Sequence, residues 1–291
     1  MSPDDYCQQK AAASGSSNYY SFLFLPPPRR RAITALYAYC GEIDEAVDEA
    51  SEPAVAAAKL DWWQAEIERL CDGQPQHPVT RALAAHRDAF GLDRERLLLV
   101  LAGARMDLAQ NRFLDFAALA RYCHLVAGVP GEMAAGVLGV SDEATYAYAR
   151  QLGLALQLVK IVRDVGADAR RGRIYLPLED LQRHGVKVSD ILAGRSVAGL
   201  VPVLHQQAAR ARSAFGQALA ALPGADRRAQ RPGLIMAAIY ASLLEELARE
   251  DFPVLHQHVS LTPLRMFAIA WRTWVFGPPP GLGRAAPAAG P

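Results

Sequence analysis

The 291 residues suffice for one large domain or two small ones around a sizeable core, and 51% hydrophobic with 21% charged residues excludes a disordered chain. The formal net charge of +1 at pH 7 excludes bulk electrostatic attraction to nucleic acid or to an anionic membrane, so no nucleic-acid partner is expected. The four cysteines form no C-x-x-C pair, the first residues lack an apolar signal core, and no apolar run reaches about 18 residues, which predicts a cytoplasmic protein without a spanning helix.

Apolar residues recur at the i, i+3, i+4 and i+7 spacing of an amphipathic helix through most of the chain, and the alternation typical of strands is almost absent. This pattern predicts helices at about 29–51, 59–71, 79–90, 93–110, 116–139 (kinked at Pro130), 143–168, 178–184, 200–222, 233–250 and 262–275. Cys40 and Cys123 fall inside these helices and are predicted core residues. No repeat or linker divides the chain, so we expect one all-α domain over residues 1–276. The Gly-, Pro- and Ala-rich tail, 277–291, is expected to be disordered.

The predicted helix at 29–51 carries two acids on its apolar side. At 100° per residue, Asp44 and Asp48 lie in the same stripe, about 80° wide, as the apolar side chains of Ile33, Tyr37 and Cys40. Two carboxylates one turn apart on an inward face repel each other and are costly to bury without a cation. The opposite side of the helix is predicted to be an ordinary solvated face and bears Glu42, Glu45 and Glu49.

The predicted helix at 143–168 is apolar nearly all round except for one polar stripe. Its members lie within about 80° of each other: Gln157, Lys160, Asp164 and Asp168. A polar stripe on an otherwise buried helix indicates that the helix faces a polar cavity.

Together the two helices present D-x-x-x-D twice, an oxygen-rich set that suits Mg²⁺. Four arginines surround the second pair, and guanidinium groups bind phosphate oxygens well: Arg163, Arg170, Arg171 and Arg173. These residues predict a metal-bridged diphosphate site. A single D-x-x-x-D is more often a solvated face, and that alternative stays open on the pattern alone.

Four stretches of the chain resemble the squalene/phytoene synthase family of head-to-head prenyl transferases over roughly residues 15–270. They are residues 21–26 (SFLFLP), 36–48 (LYAYCGEIDEAVD), 122–128 (YCHLVAG) and 156–177. Within the family, these stretches are most similar to the bacterial presqualene diphosphate synthases of hopanoid biosynthesis. The resemblance implies an all-α isoprenoid-synthase bundle around a central cavity. It also implies two farnesyl diphosphate substrates, two or three Mg²⁺ per site, no NADPH, and downstream hopanoid-pathway enzymes as partners.

Carried over by position, the resemblance makes the four aspartates magnesium ligands and catalytic residues: Asp44, Asp48, Asp164 and Asp168. It places further catalytic residues near the reacting centre: Tyr37, Tyr122 and Gln157. It assigns substrate contacts to Ser17, Val126, Lys160, Arg163, Arg173, Tyr175 and Tyr240. On pattern alone, Tyr122, Val126 and Tyr240 are interpreted as core residues.

Three positions depart from the family pattern. Gly41 stands where an arginine is usual, Asn18 replaces an aromatic residue, and Lys160 replaces an asparagine that supplies a metal ligand. Besides presqualene diphosphate synthase, the alternative functions are phytoene, dehydrosqualene or squalene synthase, or a non-catalytic assembly factor on the same fold. No G-x-G-x-x-G follows a predicted strand, so nothing indicates a Rossmann nicotinamide site.

The segment 266–276 is too short to span a bilayer, but its Trp271, Trp274 and Phe276 suit a membrane interface. We therefore expect either peripheral contact with the inner membrane through the C-terminal helix or docking of that helix on the core.

Overall fold

A computed structural model describes residues 1–13, 17–50, 52–279 and 281–282, with the side chains of residues 13 and 17–19 outside the described part. Its α-helices are, in chain order, α1 Pro3–Ala13, α2 Ser17–Phe22, α3 Pro27–Asp48, α4 Pro53–Cys71, α5 Pro78–Ala84, α6 Arg87–Phe90, α7 Arg94–Ala109, α8 Phe116–Cys123, α9 Val129–Leu138, α10 Ala144–Arg170, α11 Leu178–Arg183, α12 Val188–Leu192, α13 Leu200–Ala221, α14 Arg231–Arg249 and α15 Pro263–Phe276. Residues His124–Gly128 form a π-helical segment between α8 and α9.

The predicted all-α class is confirmed. The described residues contain no β-strand, and their one isolated bridge joins Arg112 to Ile174. Helices α3, α7, α10, α11, α13, α14 and α15 begin and end within three residues of the predicted positions. Several ends have visible chemical causes: prolines occupy the first turn of α3, and the Asp93 and Asp115 side chains accept backbone N–H groups at the starts of α7 and α8.

The sequence pattern did not predict three of the helices, α1, α2 and α12. Helix α1 has almost no amphipathic pattern and is held by tertiary contacts instead. Cys7 is fully buried, the Tyr6 hydroxyl donates to Glu42 at 2.7 Å, and Lys10 pairs with Glu42 at 3.0 Å. The prediction that Glu42 belongs to a solvated face is therefore wrong, because α1 covers it.

Other boundaries also differ. Helix α4 begins at Pro53, six residues earlier than predicted, since Pro53 is well placed in a first turn. The predicted helix at 79–90 is two short helices, α5 and α6, separated at residues 85–86. The predicted helix at 116–139 is interrupted by the π-helical segment rather than by a simple kink at Pro130, which lies in the first turn of α9.

Helix α10 lies at the centre and packs most extensively on α13, with the π-helical segment, α9 and α14 on its other sides. Two apolar cores result. One surrounds α10, α13 and α14, and the other is formed by α3, α4, α5, α7 and α9. The two cores meet beside α10, and a cavity lies between them.

Two glycines let the backbone approach α10 closely. A Cβ at Gly153 would lie 2.5 Å from the Ala127 carbonyl oxygen in the π-helical segment. A Cβ at Gly166 would collide with the Val254 carbonyl oxygen, which accepts the Gly166 N–H at 3.2 Å. Only glycine fits at these two positions, because any side chain would collide with backbone.

Candidate active site

A cavity of about 1040 Å³ lies between the two cores, bounded chiefly by α3, the π-helical segment, α10 and α14. Apolar side chains, among them Leu152, Leu156, Ile239 and Leu243, form about half of its wall, and polar or charged groups form the rest. Seven of the residues singled out in the sequence line it: Tyr37, Asp44, Val126, Gln157, Lys160, Arg163 and Tyr240. Cys40 also faces it, so the prediction of a plain core residue holds for the buried Cys123 but not for Cys40.

Asp48 on α3 and Asp164 on α10 lie one turn beyond the cavity-lining Asp44 and Lys160, and both contact arginines. Arg171 contacts Asp48 at 3.2 Å, and Arg173 donates a short hydrogen bond to the same carboxylate. Arg163 forms a two-pronged ion pair with Asp164, with both N–O distances 2.7 Å. Of the four arginines predicted to surround the second acidic pair, Arg163 contacts Asp164, whereas Arg171 and Arg173 contact Asp48 of the first pair.

An additional acid, Asp107 on α7, joins this group and was missed in the sequence. The Tyr175 hydroxyl donates to its Oδ1 at 2.6 Å, and Arg173 lies 3.4 Å from its Oδ2. A signal for it exists, because Asp107 shares a helical face with the buried Val100 and Gly103. An acid in line with buried small residues is the same pattern that identified Asp44.

Tyr122 lies behind the acids in an aromatic stack rather than on the cavity wall. Its ring is 5.3 Å from that of Tyr175 and 5.2 Å from that of Phe113. Tyr122 therefore has the contacts of a core residue. Its hydroxyl donates a hydrogen bond to the carboxylate of Asp107. Ser17 begins α2, but its side chain and that of Asn18 lie outside the described residues.

The charges in this region are unevenly paired. Within the described ranges, Asp44 and Asp168 have no cationic group within 4 Å, whereas Asp48 and Asp164 do. Burial raises the pKa of Asp44, and nearby Lys160 partly offsets this. Burial, followed by repulsion from Asp164, raises the pKa of Asp168 to about 7. The site thus has an excess of negative charge that a bound cation would relieve.

Lys160 faces the opposite helix across the cavity. Its pKa is raised, with attraction to Asp44 the largest cause and burial opposing it. The ammonium group is therefore charged at neutral pH and interacts more strongly with Asp44 than with Asp164 on its own helix. It forms no ion pair shorter than 4 Å with any described residue.

Known proteins resemble the chain over most of its length. A family model described as squalene/phytoene synthase matches residues 11–265. The chain belongs to the squalene/phytoene synthase family.

Relatives in this family are about one-third identical to the chain over the aligned residues. A chloroplastic phytoene synthase 3 from Zea mays is 36% identical over 227 residues, which are 76% of this chain and 53% of the maize protein. A 15-cis-phytoene synthase from Synechocystis is 34% identical over 83% of this chain and 76% of that protein. The chain spans about half the length of the phytoene synthases from maize and Narcissus pseudonarcissus that it matches.

Solved structures confirm the isoprenoid-synthase-type all-α fold. A crystal structure of a dehydrosqualene synthase in complex with a ligand superposes with a TM-score of 0.83 at 25% identity, covering 94% of this chain and 96% of that one. The structure of squalene synthase HpnC from Alicyclobacillus acidocaldarius gives a TM-score of 0.66, also at 25% identity and 94% coverage of both chains.

Divalent metal dependence is general in the squalene/phytoene synthase family, and the donor set here fits Mg²⁺. α3 and α10 both carry hard carboxylate oxygens in this region, and Asp44 and Asp168 lack a cationic partner in the described part of the chain. Among the described residues, no three acidic, His or Cys side chains lie close enough together to enclose one ion. Mg²⁺ needs only one or two of these carboxylates, because in proteins it fills the rest of its shell with water and phosphate oxygens.

One departure from the family pattern has a clear structural setting. Gly41 lines the cavity, and a Cβ at this position would meet no atom within 4 Å. The space in which the family pattern places an arginine is therefore open, and Lys160 is a cation that reaches the same cavity from α10.

The raised pKa of Asp168 predicts a pH-dependent stability. With a folded pKa of about 7 against an ordinary 3.8, the folded protein keeps a proton that the unfolded chain has already released. The metal-free protein should therefore lose stability as pH rises from about 4 to 7. We expect Asp168→Asn to be about 2–4 kcal/mol more stable than the parent at pH 8 and nearly equal to it at about pH 4.5.

Denaturant unfolding of both proteins in EDTA across this pH range measures the difference. Added Mg²⁺ should stabilise the parent but not Asp168→Asn at pH 8. A stability difference that stays constant from pH 4.5 to 8 would contradict the assignment.

Proposed function

We propose that the protein catalyses the Mg²⁺-dependent head-to-head condensation of two farnesyl diphosphates to presqualene diphosphate, with release of diphosphate. The observation that supports this most is the cavity itself. At about 1040 Å³ it lies at the upper end of the range for small-molecule sites, and its wall combines apolar side chains with the charged groups of Asp44, Lys160 and Arg163. Such a cavity suits two long apolar chains whose charged heads lie together.

The charged end would hold the two diphosphates. The guanidinium groups of Arg163 and Arg173 suit phosphate oxygens, and Lys160 adds a point charge from the cavity wall. Asp44, Asp48, Asp164 and Asp168 would hold Mg²⁺. When bound, the metal would neutralise charge on the leaving diphosphate.

The apolar end would protect the carbocation. The C1–O bond of one farnesyl diphosphate breaks and its diphosphate leaves, and the double bond of the second substrate then attacks C1. Loss of a proton closes the cyclopropane ring. Water would quench the cation, so the apolar walls exclude it, and the faces of Tyr37 and Tyr240 stabilise positive charge.

The proton goes to the released diphosphate in this scheme rather than to a tyrosine. Burial raises the pKa of Tyr37, so its phenol stays protonated and donates rather than accepts. Its hydroxyl lies 3.9 Å from the Met236 sulfur, which is a weak acceptor.

A second candidate is the condensation of two geranylgeranyl diphosphates to phytoene. The names of the curated relatives favour it, since the plant and cyanobacterial proteins are phytoene synthases. Dehydrosqualene or NADPH-dependent squalene formation and a non-catalytic assembly role use the same fold and remain alternatives that product analysis separates.

Purified protein incubated with each prenyl diphosphate, with and without Mg²⁺ and NADPH, separates these functions. We expect farnesyl diphosphate to give presqualene diphosphate with Mg²⁺ alone, and NADPH to leave the product unchanged. Phytoene from geranylgeranyl diphosphate would establish the second candidate. No product from either substrate, with saturable binding of neither, would contradict both.

A further inference from the structure

The outer face of α15 is a continuous apolar surface. Four large side chains on it are exposed, with 84% of Leu264, 46% of Phe267, 50% of Trp271 and 46% of Val275 accessible. Their spacing of three, four and four residues places them in one stripe along the helix. Phe276, 75% exposed, extends this surface at the end of the helix. We call these five residues the outer stripe.

The inner face of the same helix is docked on the body of the protein. Trp274 stacks on Phe24 with ring centroids 5.1 Å apart, and the Arg231 guanidinium lies 5.4 Å above its ring. Ala270 and Thr273 are buried beneath it. The helix is therefore firmly placed, so the outer stripe is exposed in the folded protein and not through local unfolding.

The charges of α15 indicate what covers the outer stripe. The helix contains two arginines and no acid, and both arginines lie on the same side of the stripe, about 95–115° from its centre. Arg265 shares Glu246 with Arg249, and Arg272 has no ion pair with any described residue. Apolar and aromatic residues beside edge arginines are typical of helices that lie in a membrane interface, where the guanidinium groups reach anionic headgroups.

We propose that α15 docks the protein on an anionic bilayer surface through the outer stripe, with the helix axis in the membrane plane. The helix of 14 residues is about 21 Å long, and no described helix is long and apolar enough to cross a membrane. A second copy of the chain fits this face less well. An isologous contact would bring arginine edges together with no acid on α15 to match them.

The docked helix would also lie between the membrane and the cavity. Met266 on α15 and Leu261 just before it line the cavity, so one element has the cavity on one side and the outer stripe on the other. Membrane docking does not depend on the proposed reaction, but it would bring the cavity next to a source of apolar chains.

Flotation of the full chain with vesicles tests the proposal. We expect it to float with phosphatidylcholine vesicles containing 30% phosphatidylglycerol and at least tenfold less with phosphatidylcholine alone. The triple variant Leu264→Ser, Phe267→Ser, Trp271→Ser should lose at least nine-tenths of this binding. Arg272→Glu should weaken binding only to the anionic vesicles. Leu114→Ser is the matched control, because Leu114 is 71% exposed but lies away from α15, and it should float as the parent does.

A conservative variant keeps the test independent of folding. Trp271→Phe preserves the apolar surface, so it should float normally but lose most of the fluorescence blue shift that vesicles cause in the parent. The proposal is overturned if the intact chain does not float with anionic vesicles, or if the triple variant floats equally well. A dimer in sedimentation velocity that the triple variant dissociates, without flotation of the parent, would assign the outer stripe to a second copy instead.

Discussion

Replacing either Asp44 or Asp164 by asparagine is expected to lower turnover more than a hundredfold, even in saturating Mg²⁺. Each change removes one negative charge from the facing acid pairs of α3 and α10 and keeps the shape of the side chain. Asp44→Asn removes a carboxylate whose charge no described cation neutralises within 4 Å. Asp164→Asn also removes the two-pronged partner of Arg163. Steady-state assays with the substrate identified by product analysis measure the effect.

A matched control separates charge at the site from charge in general. Asp88→Asn makes the same chemical change at a side chain that is 96% exposed and far along the chain from both motifs, and it should retain full activity. Circular dichroism should show that all three variants keep their helical fold. If Asp44→Asn or Asp164→Asn retains more than about a tenth of the parent rate, the metal assignment is wrong.

Replacing Lys160 is expected to change the Mg²⁺ dependence of the reaction rate. Its ammonium group lies in the cavity opposite Asp44, where it would repel Mg²⁺ by a few kcal/mol at ~4–6 Å and an effective dielectric constant near 20. We expect Lys160→Asn to raise the apparent order of the rate in Mg²⁺. Lys160→Ala should weaken the binding of inorganic diphosphate about tenfold or more, since a charged hydrogen bond contributes roughly 1.5–3 kcal/mol.

Magnesium titration of the rate and calorimetric titration with diphosphate provide the two readouts, because diphosphate alone probes the charged end of the cavity. Lys59→Ala, an exposed lysine on α4, is the control and should change neither. The hypothesis that Lys160 stands in for one metal ion fails if Lys160→Asn has the parent's magnesium dependence and Lys160→Ala binds diphosphate normally.

Much of the fold could be predicted because most of the helices bury one face, and this produces apolar residues at helical spacing in the sequence. The inward acids of α3 and the polar stripe of α10 break that pattern, and this is why the sequence alone could assign Asp44, Gln157 and Lys160 to a cavity. The family resemblance is also confirmed. The finer resemblance to presqualene diphosphate synthases stays a prediction.

The features that could not be predicted depend on contacts between distant segments. Helix α1 has no apolar pattern of its own and is fixed by Tyr6, Lys10 and Cys7 against its neighbours. Asp107 comes to the site only because the Tyr175 hydroxyl and Arg173 meet it from a loop far along the chain. The π-helical segment contains a wider turn that no local residue pattern predicts.

The two glycine contacts of α10 have a consequence for how the site tolerates change. Gly153 and Gly166 press this helix against fixed backbone on either side of the stretch that carries Gln157, Lys160 and Asp164. Main-chain contacts at these two glycines thus add to the side-chain packing that holds the polar groups in register. Substitutions in the apolar wall, for instance at Val126 or Leu156, can enlarge or shorten the room for a hydrocarbon without shifting the charged end. Under the proposed function, chain-length preference could therefore be engineered separately from diphosphate chemistry.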